Sequence, residues 1–225
     1  MVGSNEAAEP ALPLVDRIIG LIAAEPGSAR SIMLERFARS YLKRLPDDDE
    51  AEISDTELLA EISDLLTFID ECEPGERAVR VFVPTLDTCG YAIPGCVLQV
   101  VGADGPFLVD SVSAAVAREG YDTVRHLHPV IGTTRGADGR LAEIATARGS
   151  SSRESVQHFE LDRMLDADEQ KHLEAVIHGV LEDISATTDD FEPMRNAAQS
   201  MAATAKTSVH HYDFEEISET VEFLE

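Results

Sequence analysis

His126 and His128 stand two residues apart, and His158 follows further along the chain. On a strand, residues i and i+2 share a face, so the first two imidazoles point the same way. Three converging imidazoles with an open fourth position would make a zinc site. Alternating histidines also suit any half-exposed strand face, and His128 precedes Pro129, where a strand distorts. No metal ligand is assigned. Asp110-Ser111 with a nearby histidine is similar to part of a hydrolase triad, but the pair falls inside a predicted helix rather than on a strand-to-helix elbow. Asp110 reads instead as a first-turn carboxylate that complements the helix dipole. No catalytic residue is assigned. His210-His211 lies in a polar link and reads as solvated.

The turn Gly102-Ala103-Asp104-Gly105-Pro106 is the sharper feature. It leads from the apolar run Val97 to Val101 into Phe107, Leu108, Val112, Ala115 and Val116, which recur at helical spacing. Pro106 suits the first position of that helix, and Gly120 suits its left-handed end. A helix start offers free amides and positive dipole charge, which match the carboxylate of an amino acid. Gly102, Asp104, Gly105, Pro106 and Phe107 are therefore the candidate effector site, with Asp104 facing the α-ammonium group. The plainer reading of the same residues is a strand-to-helix turn capped by Asp104 or Gly105. Dinucleotide binding needs G-x-G-x-x-G between strand and helix. That run is absent, so no cofactor-binding residue is assigned.

The elements that would position these groups follow from periodicity. Helical stripes run through Val15, Ile18, Ile19 and Ile22, through Ala29 to Leu45, and through Leu58, Leu59, Ile62, Leu65, Leu66 and Ile69. Pro26-Gly27 and Pro46 with Asp47 to Glu50 separate them. Ser28 suits an N-cap, and Ser54 with Glu57 has the capping-box spacing. Val79, Val81 and Val83 then alternate as a strand, and Val124 to Thr134 reads as another. Gly136-Ala137-Asp138-Gly139 is a hairpin turn from which Arg140 to Ala147 pairs back. Val156 to Leu161 puts Val156, His158 and Glu160 on one face. Asp166 opens a long helix bearing Leu173, Val176, Ile177, Val180, Leu181 and Ile184.

This order predicts an α+β fold: a ferredoxin-like antiparallel sheet with two helices on one face, preceded by a helical N-terminal segment. The expected parts are 1–75 helical, 76–190 α+β, and 191–225 a helical linker. A ferredoxin-like sheet needs a closing strand after the second helix, and Ala186 to Asp190 supplies none. Val79 to Val83 is expected to take that edge instead. The apolar stripe Phe214, Ile217, Val221 and Leu224 stops unfinished, which suggests a piece of a longer polypeptide.

Composition narrows the partners. Forty-three acidic side chains face 18 basic ones, for a net charge of −25. Such a chain is repelled by phosphate backbones and anionic lipid, so no nucleic acid and no membrane is expected. The 44% hydrophobic content supports a buried core, built without Trp. Cys72, Cys89 and Cys96 are odd in number and lack metal-ligand spacing, which suits reduced thiols and a cytoplasmic location.

The segments PGERAVRVFVP (74–84), GPFLVDSVSAAVAREGYDTVRHLHPVI (105–131), ESVQHFELDR (154–163) and EISETVEFL (216–224) occur in order. Together they resemble the N-terminal region of the large bacterial NAD-specific glutamate dehydrogenases, and the stretch 102–120 is similar to the first turn and helix of ACT domains. The sequence departs from that family at Asp190-Phe191-Glu192-Pro193-Met194, where a Trp-containing segment is common. It departs again at Gly102 to Gly105, where an Asp-Asp-Met type turn is usual. The resemblance implies an ACT-like, non-catalytic module serving assembly, allosteric regulation or both. It also implies a homo-oligomeric parent enzyme that converts L-glutamate, NAD+ and water to 2-oxoglutarate, ammonium and NADH. NAD would then belong to the parent and to no residue of this chain. The implied partners are other domains of the same polypeptide, further copies of it, and an amino-acid effector.

Overall fold

A computed structural model describes residues 12–24, 27–46, 53–189, 191–207 and 213–224. Pro26, Asp47 to Glu50, Asp190 and His210-His211 lie outside the described residues. The chain divides into two compact units, one up to His178 and one from Gly179.

The first unit begins with α1 (Leu14–Ala23), α2 (Ala29–Leu42) and α3 (Asp55–Glu71). Ser28 caps α2 as its spacing predicts, its Oγ accepting from the Ser31 amide at 3.0 Å. Ser54 is the N-cap of α3, but its side chain makes no capping bond, and its hydroxyl turns to Thr56 Oγ1 instead. The capping box forms at α6 (Ala167–Asp189), where Asp166 Oδ1 accepts from the Asp168 and Glu169 amides and Glu169 Oε2 accepts from the Asp166 amide.

Six strands follow: β1 (Arg77–Phe82), β2 (Val97–Ala103), β3 (Thr123–Leu127), β4 (Val130–Arg135), β5 (Leu141–Thr146) and β6 (Arg153–Leu161). The short α4 (Leu86–Cys89) and α5 (Leu108–Arg118) complete the unit. The sheet order is β1-β2-β6-β4-β5, with β3 also on β6, and every pairing is antiparallel. β1 therefore takes the edge beside β2 that a strand after α6 would otherwise fill, as expected for Val79 to Val83.

The predicted single strand from Val124 to Thr134 is split at His128-Pro129. Proline has no amide hydrogen for the ladder, and its carbonyl accepts from Val156 instead. Between β5 and β6 the chain crosses β4 at Gly132. A Cβ there would lie 2.0 Å from Ser150 Oγ and 2.8 Å from the Thr146 carbonyl oxygen. Only glycine leaves room for that crossing.

Both sheet faces are covered. Ala78, Val101, Val156, Leu127 and Ile131 share one face and join the core of α1, α2 and α3. α5 and the first part of α6 cover the other face, linked by His172 Nε2 and Glu119 Oε2 at 2.9 Å. The sequence anticipated this α5–α6 layer. For the apolar stripes of Leu14 to Cys72 it allowed two readings, a helical cap packed on the sheet or a subunit contact, and the structure shows the cap. The second unit contains α7 (Phe191–Thr207) and α8 (Phe214–Leu224), with Leu181, Ile184, Ala202 and Ile217 buried.

Candidate functional site

The predicted effector residues fall at one end of the sheet, where β2 gives way to α5. A Cβ on Gly102 would come within 2.6 Å of the Glu76 carbonyl oxygen and 2.8 Å of Arg77 Cα, so the close approach of β1 demands glycine. Asp104 donates its amide to the Arg153 carbonyl at 3.0 Å, and its carboxylate pairs with Arg153 Nη2 at 3.3 Å. Gly105 sits beside the Arg77 guanidinium, 3.8 Å from where a Cβ would stand. Pro106 is exposed and lies one residue before the N-cap, so it does not open the helix as its type predicts.

Phe107 is that N-cap. It holds a left-handed backbone at φ 66, the only non-glycine residue with positive φ among those described, and no side chain caps the helix. The first-turn amides of α5 are thus left to outside acceptors. Under them Arg77, Val100, Gly102, Leu108, Ser155 and Gln157, among others, close in until no room is left even for a water molecule. A dinucleotide does not fit there, and the turn lacks the glycine spacing that lets amides close on a pyrophosphate.

The three histidines do not converge. His126 and His128 share a face, their rings 6.4 Å apart, and His126 stacks on Phe159 at 3.8 Å. His158 pairs with Leu127, the residue between them, and so lies on the opposite face. A zinc site built from these three is ruled out by the pleat. Burial pushes His126 down to about 4, with His128 and His158 adding to the effect, and burial also lowers His128. Asp110 is exposed in the first turn of α5, while Ser111 donates its amide to the Phe107 carbonyl inside the helix, away from any elbow.

His158 belongs to a constellation the sequence reading missed. A row of polar side chains crosses the buried face of the sheet under α3. Arg80 on β1 holds Asp64 of α3 through Nη2 at 2.6 Å and donates through Nε to Gln99 Oε1 on β2 at 2.7 Å. Its guanidinium also lies between the Phe68 and Phe82 rings, 4.5 and 4.6 Å from their centres. Gln99 Nε2 meets His158 Nδ1 on β6 at 3.0 Å. Beyond His158, Arg125 Nη2 on β3 donates to Glu61 Oε2 of α3 at 2.6 Å and to Glu160 Oε1. Tyr41 of α2 donates to Glu61 Oε1.

Glu61, His158 and Glu160 lie close enough together to hold a metal ion, but the row argues against it. Arg80 can only donate, so Gln99 must accept on Oε1 and donate from Nε2 to His158 Nδ1. The neutral imidazole then carries its proton on Nε2, the nitrogen that faces Glu61 at 3.9 Å and Glu160 at 3.8 Å. A protonated nitrogen is not a ligand, and Arg125 already supplies the cation between the two carboxylates. The signal for this cluster was present in the sequence. Glu61 sits at core spacing between Leu58 and Leu65 on the apolar stripe of α3.

A family model described as the glutamate dehydrogenase ACT1 domain matches residues 37–177. The NAD-specific glutamate dehydrogenase of Pseudomonas aeruginosa is 28% identical over 193 residues, covering 84% of this chain and 12% of that protein. The NAD-specific glutamate dehydrogenase of Halomonas elongata is 27% identical over 224 residues, covering 96% of this chain and 14% of that protein. The chain thus spans about an eighth of the length of these relatives. With its antiparallel sheet, its two-helix layer and this match across most of the first unit, the chain belongs to the glutamate dehydrogenase ACT1 domain family.

Proposed function

We propose that this chain is a non-catalytic module of a large, cytoplasmic, NAD-dependent glutamate dehydrogenase, serving the assembly and regulation of the parent enzyme. The parent converts L-glutamate, NAD+ and water to 2-oxoglutarate, ammonium and NADH on a domain outside this chain. The observation that carries this reading is the closure of the sheet. Helices cover both faces, and side chains occupy both edges. Glu174 Oε1 accepts from the Val81 amide on β1, Asp70 Oδ1 accepts from the Leu141 amide on β5, and Arg36 donates to the Ile144 carbonyl. With both faces and the outer strands covered in this way, the contacts of the sheet with other domains and other copies fall to helices and loops. Ile32 on α2, Phe107 and Val124 are large apolar side chains left exposed for that purpose.

The uncapped start of α5 favours a regulatory role beside the architectural one. It supports an amino-acid effector at Gly102, Asp104, Gly105, Pro106 and Phe107, through the free first-turn amides. A thermal-shift screen of the 225-residue chain against the twenty amino acids tests this. A ligand at 100 times its dissociation constant adds ~2.7 kcal/mol, and a rise in melting temperature with one or a few amino acids is the expected result. A flat response across the set would leave the architectural role alone.

A further inference from the structure

His158 is fully buried under α3, and its Nε2 makes no hydrogen bond. Two carboxylates face that nitrogen, Glu61 of α3 at 3.9 Å and Glu160 of β6 at 3.8 Å. Arg125 of β3 pairs with both. Tyr41 of α2 sets its ring edge-on to the imidazole at 6.1 Å. Burial, and then Glu61, hold its hydroxyl well above the usual phenol range, so it stays neutral. His126 lies on the other face of the sheet and is neutral above about 4. While the His158 ring is neutral, two carboxylates therefore stand against one guanidinium, and the buried cluster carries one uncompensated negative charge. Such a charge is costly in a protein interior. Glu160 does not relieve it by protonation. Burial raises its carboxyl, but the contacts with His158 and Arg125 outweigh burial and hold it below the ordinary carboxylate range. A second proton on the His158 ring does relieve it, because an imidazolium brings the missing positive charge.

That second proton goes to Nδ1, the nitrogen that accepts from Gln99 Nε2 at 3.0 Å. Two N–H groups then oppose each other. A primary amide carries an acceptor on one side and donors on the other, so turning Gln99 over presents Oε1 to the imidazolium. The same turn presents Nε2 to Arg80 Nε, which can only donate, and the 2.7 Å bond between Arg80 and Gln99 is lost. Arg80 keeps Asp64 of α3 at 2.6 Å and its place between the Phe68 and Phe82 rings. We propose that His158, Gln99 and Arg80 form a proton-triggered switch across β6, β2 and β1, in which protonation of His158 turns the Gln99 amide and frees Arg80 from β2. With His158 neutral, Arg80 ties β1 to both β2 and α3. With His158 protonated, Arg80 serves α3 alone, while the imidazolium holds Glu61 and Glu160. A proton bound on β6 is thus read out two strands away, where α3 meets the edge strand β1.

The test is an NMR titration of the 15N-labelled 225-residue chain from pH ~8 to ~5, the range in which histidine changes charge. It follows the His158 ring nitrogens, the Gln99 side-chain amide and Arg80 Nε. All three are expected to move with one midpoint. Gln99→Glu offers acceptors to both neighbours, so it holds the imidazolium and Arg80 together without a turn. In that variant the His158 ring should keep its second proton to higher pH, by about one unit or more, and Arg80 Nε should stay still as the ring titrates. A His158 ring that remains neutral across the range overturns the switch. So does a ring that titrates while Gln99 and Arg80 do not move, or a midpoint that Gln99→Glu leaves unchanged. The titration of the unmodified chain decides the matter even where the variant does not fold.

Discussion

Glu61 stands where the helical stripe of α3 calls for leucine, and its carboxylate is taken up on both oxygens, by Tyr41 and by Arg125. Losing that carboxylate strands the buried Tyr41 hydroxyl and leaves Arg125 with Glu160 alone. Glu61→Leu should therefore cost about 3 kcal/mol in urea denaturation, and Tyr41→Phe about 1–3 kcal/mol through the bond it takes from Glu61. His126 gives a second prediction, in pH. Its ring is buried in the neutral form and titrates at about 4 in the folded chain, against 6.5 for the ordinary group. Between those values the unfolded chain binds the extra proton, so stability falls as pH drops from 6.5 towards 4. His126→Phe should flatten that slope, by up to roughly 3 kcal/mol at the acid end. An unchanged pH profile of the denaturation midpoint would contradict it.

At the scale of elements, glycine marks where segments touch. Gly95→Ala would place a Cβ 1.8 Å from the Leu161 carbonyl oxygen, the residue whose amide bonds to Cys96 at 2.8 Å. Backbone must move to admit it, and a loss of about 3 kcal/mol is expected by chemical denaturation. The edge strand β1 behaves differently. Glu174→Ala removes only the acceptor that covers the Val81 amide. Stability should change by less than ~1 kcal/mol, while self-association seen by sedimentation rises as the bare edge finds other strands. Much of this architecture was legible. Period-two alternation located β1 and β6, the hairpin turn 136–139 located β4 and β5, and the absence of a strand after α6 pointed to β1 as the edge. The break at Pro129 and the N-cap at Phe107 were not legible, because register on β6 and the approach of β1 to Gly102 decide them. The row Arg80-Gln99-His158 was hidden for the same reason. Its members lie far apart in sequence and become neighbours only through strand pairing.

For the whole molecule, the N-terminal helices and the sheet share one core and one polar row. Leu58, Ile62 and Leu65 of α3 pack with Val101, Leu127 and Val156 of the sheet, while Asp64 and Glu61 of the same helix grip Arg80 and Arg125. The first unit is thereby filled on both sides of its strands. On the function proposed above, dehydrogenase chemistry lies outside this chain. Glutamate-dependent formation of NADH by the purified 225-residue chain, followed by absorbance with L-glutamate and NAD+ in excess, tests it most directly. The prediction is a rate indistinguishable from buffer, and sustained turnover that scales with protein concentration would contradict it.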